Sequence, residues 1–104
     1  MEDCVFCKIR DGEIPSPKLH EDEHCYAVND INPKAKTHIL IIPNKHIHSI
    51  AKMEKGDETL IGHMVKIARD LAAERELRGY KLVFNVEKHG GQEIFHIHMH
   101  LLSD

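Results

Sequence analysis

Long apolar segments are missing from this sequence. The longest uninterrupted one, Ile39 to Ile42, is far too short to span a bilayer. Residues 1–10 also lack the basic start and the apolar run of a secretion signal, because acidic residues stand there instead. We therefore expect a cytoplasmic protein that neither crosses a membrane nor binds one.

A basic surface is missing as well. The chain has 14 lysine and arginine residues against 17 aspartate and glutamate residues, which gives a net charge of −3 with the histidines neutral. Proteins that coat nucleic acids need a basic face, so this composition argues against a nucleic-acid partner. It does not exclude a single nucleotide held in a local pocket.

Cysteine is scarce and occurs an odd number of times, as Cys4, Cys7 and Cys25. Three cysteines in a reducing compartment argue against a disulfide framework. Cys4 and Cys7 have the spacing of one half of a tetrahedral zinc site. The alternatives are two small buried side chains, or a redox pair, which is disfavoured because no thioredoxin-like pattern surrounds it.

Internal repeats, low-complexity tracts and linkers are also absent. A length of 104 residues with 41% hydrophobic content suits a single domain spanning residues 1–104. Alternating and apolar segments predict strands at residues 18–21, 25–30, 37–43, 80–87 and 93–102. Most loops are too short for parallel crossovers, so we predict an α+β fold with an antiparallel sheet.

Two helices are predicted beside this sheet, a short one at residues 4–10 and a long one at residues 57–78. The long helix has Asp57 as its N-cap and Gly79 as its stop. Its apolar stripe repeats at helical spacing and consists of Leu60, Ile61, Met64, Val65, Ile67, Ala68, Leu71 and Ala72. A stripe this wide on so long a helix favours the hypothesis of a dimer.

Histidine is the compositional outlier, with ten residues. His96, His98 and His100 alternate with apolar residues, so in a strand their imidazoles project from one face, about 6.5–7 Å between neighbours. The side chains expected on the opposite, core-facing side are those of Phe95, Ile97, Met99 and Leu101. The histidines interpreted as surface residues are His20, His24, His63 and His89.

Three interpretations of this histidine strand stay open. It is a polar strand face, a metal site in which histidines at i and i+2 ligate one ion, or a catalytic group. In a catalytic group, one imidazole attacks, a second fixes its tautomer, and a third donates to phosphoryl oxygens or the leaving group. Clustered imidazoles disfavour simultaneous protonation, so one stays neutral near pH 7. In the preceding loop, Gly90 and Gly91 form a hairpin turn, bring backbone N–H groups close to a phosphate, or do both.

The segments GGQEIFHIHMHLL and INPKAKTHILIIPNKH together resemble the histidine-triad (HIT) family, and within it the Hint branch of nucleoside phosphoramidases. The resemblance runs from CVFCKI to HLL, nearly the whole chain. It implies a five-stranded antiparallel sheet with one long and one short helix, and a homodimer that joins two such sheets. It also implies hydrolysis of purine nucleoside phosphoramidates or related adenylates through a nucleotidyl-histidine intermediate.

Two other functions stay open beside this one. The first is a dinucleoside polyphosphate hydrolase or nucleotidyltransferase of another HIT branch. The second is an adaptor that binds a purine nucleotide or zinc and whose catalysis is incidental.

The resemblance assigns roles to individual residues. It makes His98 the nucleophile, with His96, His100 and His38 as the other catalytic histidines. The residues it implies for an AMP-type purine nucleotide are Val5, Phe6, Ile9, Val28, Asp30, Ile31, Asn85, Gly91, Gln92 and Glu93. Within this set the apolar side chains wall the base, Asp30 accepts from the ribose hydroxyls, and Asn85 lies near the phosphate. Glu93 stands where many family members have serine or threonine.

The resemblance also completes the cysteine pair. Other members of the superfamily carry this cysteine spacing together with two histidines, which here correspond to His46 and His96. The implied site is a structural Zn²⁺ held by Cys4, Cys7, His46 and His96. His48 stays open as an alternative to His46.

Overall fold

The computed structural model describes residues 3–104. These residues form a five-stranded sheet in the order β1-β2-β3-β5-β4, with every neighbouring pair antiparallel. The elements are α1 (Val5–Arg10), β1 (Lys18–Glu21), β2 (Cys25–Asn29), β3 (Thr37–Pro43), α2 (Asp57–Glu74), β4 (Lys81–Val83) and β5 (Met99–Ser103). The predicted α+β fold, with one long and one short helix beside this sheet, is confirmed.

The two faces of the sheet carry different covers, because side chains alternate along each strand. The face towards α2 forms the main core, which includes Ile39, Ile41, Met64, Ile97, Met99 and Leu101. The face towards α1 forms a smaller cluster of Phe6, Tyr26, Val28, Leu40 and Ile42. His38 of β3 alternates with the core residue Ile39, so the strand places His38 on the α1 side.

The N-cap of helix α2 lies one residue earlier than predicted. Its N-cap is Gly56, at φ 98°, rather than Asp57. The Asp57 carboxylate accepts hydrogen bonds from Lys45 Nζ at 2.7 Å and from the Glu54 backbone at 2.8 Å, so it tethers the preceding loop. None of the helices in residues 3–104 is long and apolar enough to cross a membrane.

The helix also ends earlier than predicted, at Glu74 instead of shortly before Gly79. The backbone N–H of Leu77 turns back to the carbonyl of Ala72 at 3.0 Å, across Glu76 in the left-handed region at φ 54°. This turn provides a hydrogen-bond donor for a carbonyl in the last turn of the helix, and the chain then continues towards β4.

Strand β4 is only three residues long, whereas residues 80–87 were predicted to be extended. Residues 84–87 lie outside the sheet. At the end of this segment the backbone of Glu87 adopts φ 63° and donates its N–H to Gln92 Oε1 at 2.8 Å, which starts the loop towards β5.

Strand β5 starts at Met99, so the prediction of a strand from residue 93 was wrong in its first half. The carbonyl of His96 accepts from His98 Nδ1 at 2.9 Å, and the N–H of Ile97 donates to Ile47 at 2.8 Å. His96 and His98 thus precede the strand. Phe95 is also not in the core: it is 38% exposed and its ring stacks on that of His48.

Candidate active site and metal centre

A cleft of about 790 Å³ opens on the α1 side of the sheet. Its size lies within the range of pockets that hold small ligands. It brings together three of the four predicted catalytic histidines, His38, His98 and His100, and nine of the ten predicted nucleotide-binding residues. His96 and Gln92 do not line it.

The proton on the His98 ring is placed by the backbone. His98 Nδ1 lies 2.9 Å from the carbonyl oxygen of His96, and a carbonyl can only accept, so Nδ1 carries the proton. In the neutral ring Nε2 is then unprotonated. Burial lowers the pKa of His98 below its usual 6.5, against a smaller opposing effect of the bond to His96, so the ring is neutral near pH 7.

A series of two hydrogen bonds orients the two other histidines of the cleft. The backbone N–H of Lys34 donates to His38 Nδ1 at 3.0 Å, which leaves the His38 proton on Nε2. His38 Nε2 lies 2.8 Å from His100 Nδ1 and donates to it. The His100 proton is therefore on Nε2, and Asp30 Oδ2 lies 3.4 Å from His38 Nε2 as a flanking acceptor.

The last donor of this hydrogen-bonded series, the Nε2–H of His100, has no acceptor. His100 Nε2 is buried and, within residues 3–104, is the one buried side-chain polar atom without a hydrogen-bond partner. The His100 and His98 rings lie 5.0 Å apart between centroids. Burial, reinforced by His98 and His38, lowers the pKa of His100 to about 4. A neutral donor left unpaired in a cleft is suited to an oxygen of a bound ligand.

His96 stands apart from this group, contrary to the prediction that all three imidazoles share one strand face. Its ring is fully buried, and Nε2 donates to the carbonyl of Pro43 at 2.8 Å. The unprotonated Nδ1 faces Cys4 Sγ at 3.3 Å, Cys7 Sγ at 3.6 Å and His46 Nδ1 at 3.0 Å. The irregular backbone before β5 is the reason, because strict alternation holds only within a strand.

The four residues Cys4, Cys7, His46 and His96 fit a zinc ion. Their ligand atoms all lie within 4.8 Å of one another, and the measured pairs at 3.0–3.6 Å are close to the edges, about 3.3–3.8 Å, of a tetrahedral site. Burial lowers the pKa of His46, and lowers that of His96 to about 4, so both rings are neutral as ligation requires. His48 is not in this cluster, since its ring stacks on Phe95.

Helix α1 connects the cluster of Cys4, Cys7, His46 and His96 to the cleft. Cys4 is its N-cap, and its sulfur accepts from the backbone N–H of Cys7 at 3.4 Å. The hydroxyl of Tyr26 donates to the carbonyl of Phe6 at 2.7 Å and anchors the helix on β2. The outer residues of α1, Val5, Phe6 and Ile9, then wall one side of the cleft.

The opposite rim comes from the end of β2 and the turn that follows. Val28 is buried, whereas Ile31 is 90% exposed and lies at the mouth of the cleft. Asp30 Oδ1 accepts from the backbone N–H of Asn32 at 2.8 Å, which is a turn-capping bond. Its Oδ2 lies 3.4 Å from His38 Nε2, so Asp30 caps the turn with one oxygen and faces the histidines of the cleft with the other.

The loop between β4 and β5 supplies Asn85, Gly91 and Glu93 to the cleft. Gln92 instead holds the loop together. Its side chain is buried and bonds to the backbone of Glu87, His48 and Ile94 at 2.8–3.0 Å. Gly91 has φ 88°, a conformation that residues with a Cβ rarely adopt, and it lets the chain turn beside Asn85.

Sequence reasoning missed several groups that act through the backbone. The N–H of Lys34 and the carbonyls of Pro43 and His96 place the protons of the histidines. No residue type in the sequence indicates such roles, because every residue except proline carries the same backbone N–H and C=O groups. Two lysines at the cleft, Lys34 and Lys81, were also missed.

A family model described as "Scavenger mRNA decapping enzyme C-term binding" matches residues 3–104. The chain is 43% identical over 104 residues to a protein of Escherichia coli (strain K12) named purine nucleoside phosphoramidase. That alignment covers 98% of this chain and 87% of that protein.

Two solved structures are similar in fold and sequence. The crystal structure of a HIT family hydrolase from Legionella pneumophila Philadelphia 1 has a TM-score of 0.93 at 47% identity, covering 97% of this chain and 92% of that chain. A Zn-bound histidine triad family protein from Mycobacterium smegmatis has a TM-score of 0.87 at 30% identity, covering 98% of this chain and 75% of that chain.

Proposed function

Because this chain belongs to the histidine-triad (HIT) family of hydrolases, we propose that it hydrolyses purine nucleoside phosphoramidates with His98 as the nucleophile. The observation that carries the proposal is the His98 ring, whose Nδ1–H is held by the His96 carbonyl and whose Nε2 is free to attack. The name of the Escherichia coli relative supports the class of substrate.

The reaction proceeds in two displacements at the α-phosphorus. His98 Nε2 forms a bond to phosphorus while the bond from phosphorus to the leaving nitrogen breaks, and the departing amine takes up a proton. Water then attacks the same phosphorus, loses a proton, and releases the nucleoside monophosphate and the neutral His98. The two steps balance to hydrolysis of one P–N bond.

The neighbouring histidines stabilise the negative charge that develops on the phosphoryl oxygens. His100 Nε2–H is an unpaired donor in the cleft and binds one of these oxygens. His38 is a positioning residue, because its Nε2–H holds the acceptor nitrogen of His100 at 2.8 Å and so keeps the proton on the far side of that ring. Asn85 and the backbone of Gly91 face the same space.

The nucleoside occupies the rest of the cleft. Val5, Phe6 and Ile9 of α1 contact the base from one side, and Val28 and Ile31 from the other. Asp30 accepts hydrogen bonds from the ribose hydroxyls. Glu93 also lines the cleft, where its carboxylate repels a phosphate and favours a cationic amine as leaving group.

We propose that Cys4, Cys7, His46 and His96 hold a structural Zn²⁺. When bound, the ion supplies positive charge that stabilises the two thiolates. His96 then positions the nucleophile, because its backbone carbonyl is the acceptor for His98 Nδ1. All three cysteines are free, which suits the reducing conditions of a cytoplasmic location.

We also propose that the protein is a homodimer. Strand β4 lies at the edge of the sheet, and an edge strand offers unpaired backbone groups to a second copy. Tyr80, next to this strand, is 39% exposed, and Val65 of the α2 stripe is 40% exposed. These apolar side chains are the ones that a second copy would cover.

The test is turnover of an adenosine phosphoramidate to AMP and free amine. We expect His98→Ala to lower kcat by about three orders of magnitude or more, because the attacking atom is removed. His89→Ala is the matched control, since His89 is exposed and outside the cleft, and it should retain wild-type turnover. Undiminished turnover by His98→Ala would exclude His98 as the nucleophile.

Further measurements separate the alternative functions. Rapid quench followed by mass spectrometry should find a nucleotide-sized adduct on His98 of the wild-type protein. Faster turnover of a diadenosine polyphosphate than of the phosphoramidate would favour the polyphosphate hydrolases instead. Nucleotide binding without turnover of either substrate would favour an adaptor.

A further inference from the structure

A second group of histidines lies outside the cleft, between the turn from β1 to β2 and helix α2. Asp22 Oδ2 lies 2.6 Å from His20 Nε2 and 2.8 Å from His63 Nε2. His20 and His63, which were interpreted as surface residues, are partly exposed and in addition contact a shared carboxylate. They come from separate elements, β1 and α2, and converge on one carboxylate oxygen.

The carboxylate of Asp22 is held in place before any ligand arrives. Its other oxygen, Oδ1, accepts from the backbone N–H groups of His24 at 2.6 Å and Cys25 at 2.9 Å. The His24 ring packs edge-on against the His63 ring, with centroids 5.3 Å apart, which limits rotation of His63. Asp22 thus presents Oδ2 alone, in a fixed direction, to the two imidazoles.

The group is accessible from solvent but not freely exposed. The side chains of His20, His63 and Asp22 retain 28%, 31% and 25% of their exposure. Two imidazole nitrogens and one carboxylate oxygen are the donor set of Zn²⁺, Co²⁺, Ni²⁺ and Cu²⁺ sites in proteins. Ca²⁺ and Mg²⁺ are disfavoured, since they take oxygen ligands.

Cys25 lies close enough to this group that its sulfur and the ligand atoms of His20 and Asp22 fall within 4.8 Å of one another. We leave it out of the proposed ligand set because the residue has no exposed surface and its sulfur meets Asp22 Oδ2 from the core side, at 3.9 Å.

We propose that His20 Nε2, Asp22 Oδ2 and His63 Nε2 form a second metal site, which binds one divalent transition-metal ion with solvent in the remaining positions. In the metal-free protein the two imidazole N–H groups donate to the shared oxygen. On binding, each neutral ring moves its proton to Nδ1, each protonated ring releases one proton, and both Nε2 lone pairs turn to the ion. Each Nε2 needs to separate from Oδ2 only from 2.6–2.8 Å to about 3 Å to make room for the ion.

This site shares no residue with the cysteine cluster and none with the cleft. The bound ion connects the turn between β1 and β2 to helix α2, which packs on the sheet face that forms the main core. Binding to the folded chain alone stabilises it by mass action. At an ion concentration well above the Kd we expect Tm to rise by about 5 °C.

The test is a titration of the metal-free full chain with Co²⁺, followed by absorption spectroscopy. Co²⁺ bound to Cys4 and Cys7 gives an intense thiolate-to-cobalt band in the near ultraviolet, whereas a site of two histidines and one aspartate gives only weak visible bands. We expect one equivalent that produces visible bands without the thiolate band. This signal is read independently of whether the cysteine cluster also binds.

Single substitutions locate the second equivalent. His63→Gln and His20→Gln should each weaken it at least about tenfold and leave any thiolate-linked equivalent intact. His89→Gln, a matched control on an exposed loop, should bind as the wild type does. The proposal is overturned if the wild type binds only the thiolate-linked equivalent, or if both variants retain the second one.

Discussion

At the level of single residues, the backbone decides which nitrogen of each histidine carries the proton. A carbonyl can only accept and an amide N–H can only donate, so His98 is protonated on Nδ1 while His38 is protonated on Nε2. Four histidines of this chain thereby acquire different chemistry from identical side chains. His96 is directed to the cysteines in the same way, by the carbonyl of Pro43.

The pH dependence of turnover follows from the burial of His98. Burial lowers its pKa below 6.5, and only the neutral ring attacks, so kcat/KM should fall on the acid side with an inflection below pH 6.5. Asp30 raises the pKa of both His98 and His100, so Asp30→Asn should move the inflection in kcat/KM further down. The pH profile of kcat/KM for the two proteins measures both effects. An inflection at or above pH 6.5 would contradict the first.

The role of His38 is tested by removing its donor. In His38→Phe the ring of His100 loses the group that holds its Nδ1 as an acceptor. We expect kcat to fall about 10- to 100-fold with little change in KM, since His38 acts through His100. Steady-state kinetics measure this split, and circular dichroism checks the fold. Equal changes in kcat and KM would speak for a general structural role.

At the level of elements, helix α1 is the weakest part of the fold that reaches the site. It has six residues, and so short a helix is not stable by itself in water. Its position depends on the bond from Tyr26 to Phe6 and on the cysteines at its start. The apolar wall of the cleft therefore depends on the cluster of Cys4, Cys7, His46 and His96, the proposed zinc site.

Loss of the metal should be seen first in nucleotide binding. We expect Cys7→Ser, or wild-type protein stripped with a chelator, to raise KM at least about tenfold, because α1 loosens. Hydrogen exchange of residues 5–10 should rise in parallel. Elemental analysis of protein purified without chelators measures the metal itself.

The choice of histidine ligand gives the matched control. His46→Ala should lower zinc content or affinity, whereas His48→Ala should keep both, since His48 stacks on Phe95 outside the cluster. Wild-type protein free of metal after such a purification would count against the zinc proposal.

At the level of the whole molecule, the sheet formed by residues 3–104 is open at both edges, and the edge strand β4 contributes Lys81 and Val83 to the cleft. A second copy placed along β4 would cover apolar side chains at one end of the fold. It would not need to rearrange the core, which is complete between the sheet and α2.

Light scattering coupled to gel filtration should therefore give twice the mass of the chain. Val65→Glu introduces a charge into the exposed part of the α2 stripe and should shift the protein towards a monomer. Lys66→Glu, a neighbouring change on an exposed polar side chain, is the control and should leave the dimer intact. A wild-type monomer at micromolar concentration would contradict the proposed assembly.

Most elements of this fold could be predicted from local patterns. Strands β1 and β3 and helix α1 lie where alternation, apolar runs and turn residues indicated them. The errors occurred at ends: α2 stops at Glu74, β4 at Val83, and β5 begins only at Met99. Hydrogen bonds that periodicity does not register lie at these ends: Leu77 donates to Ala72 after α2, Glu87 donates to Gln92 after β4, and Ile97 donates to Ile47 before β5.

By itself, the sequence determined the α+β class, the identity of the reactive side chains and the pairing of Cys4 with Cys7, because these depend on residue type and on spacing over a few positions. Only the tertiary structure decided that the His96 ring faces Cys4 and Cys7 instead of the cleft, and that His20 and His63 both contact the carboxylate of Asp22. The physical reason is distance along the chain. Pro43 and His96 are 53 positions apart and Asp22 and His63 are 41 apart, so only folding brings a proton donor to its acceptor.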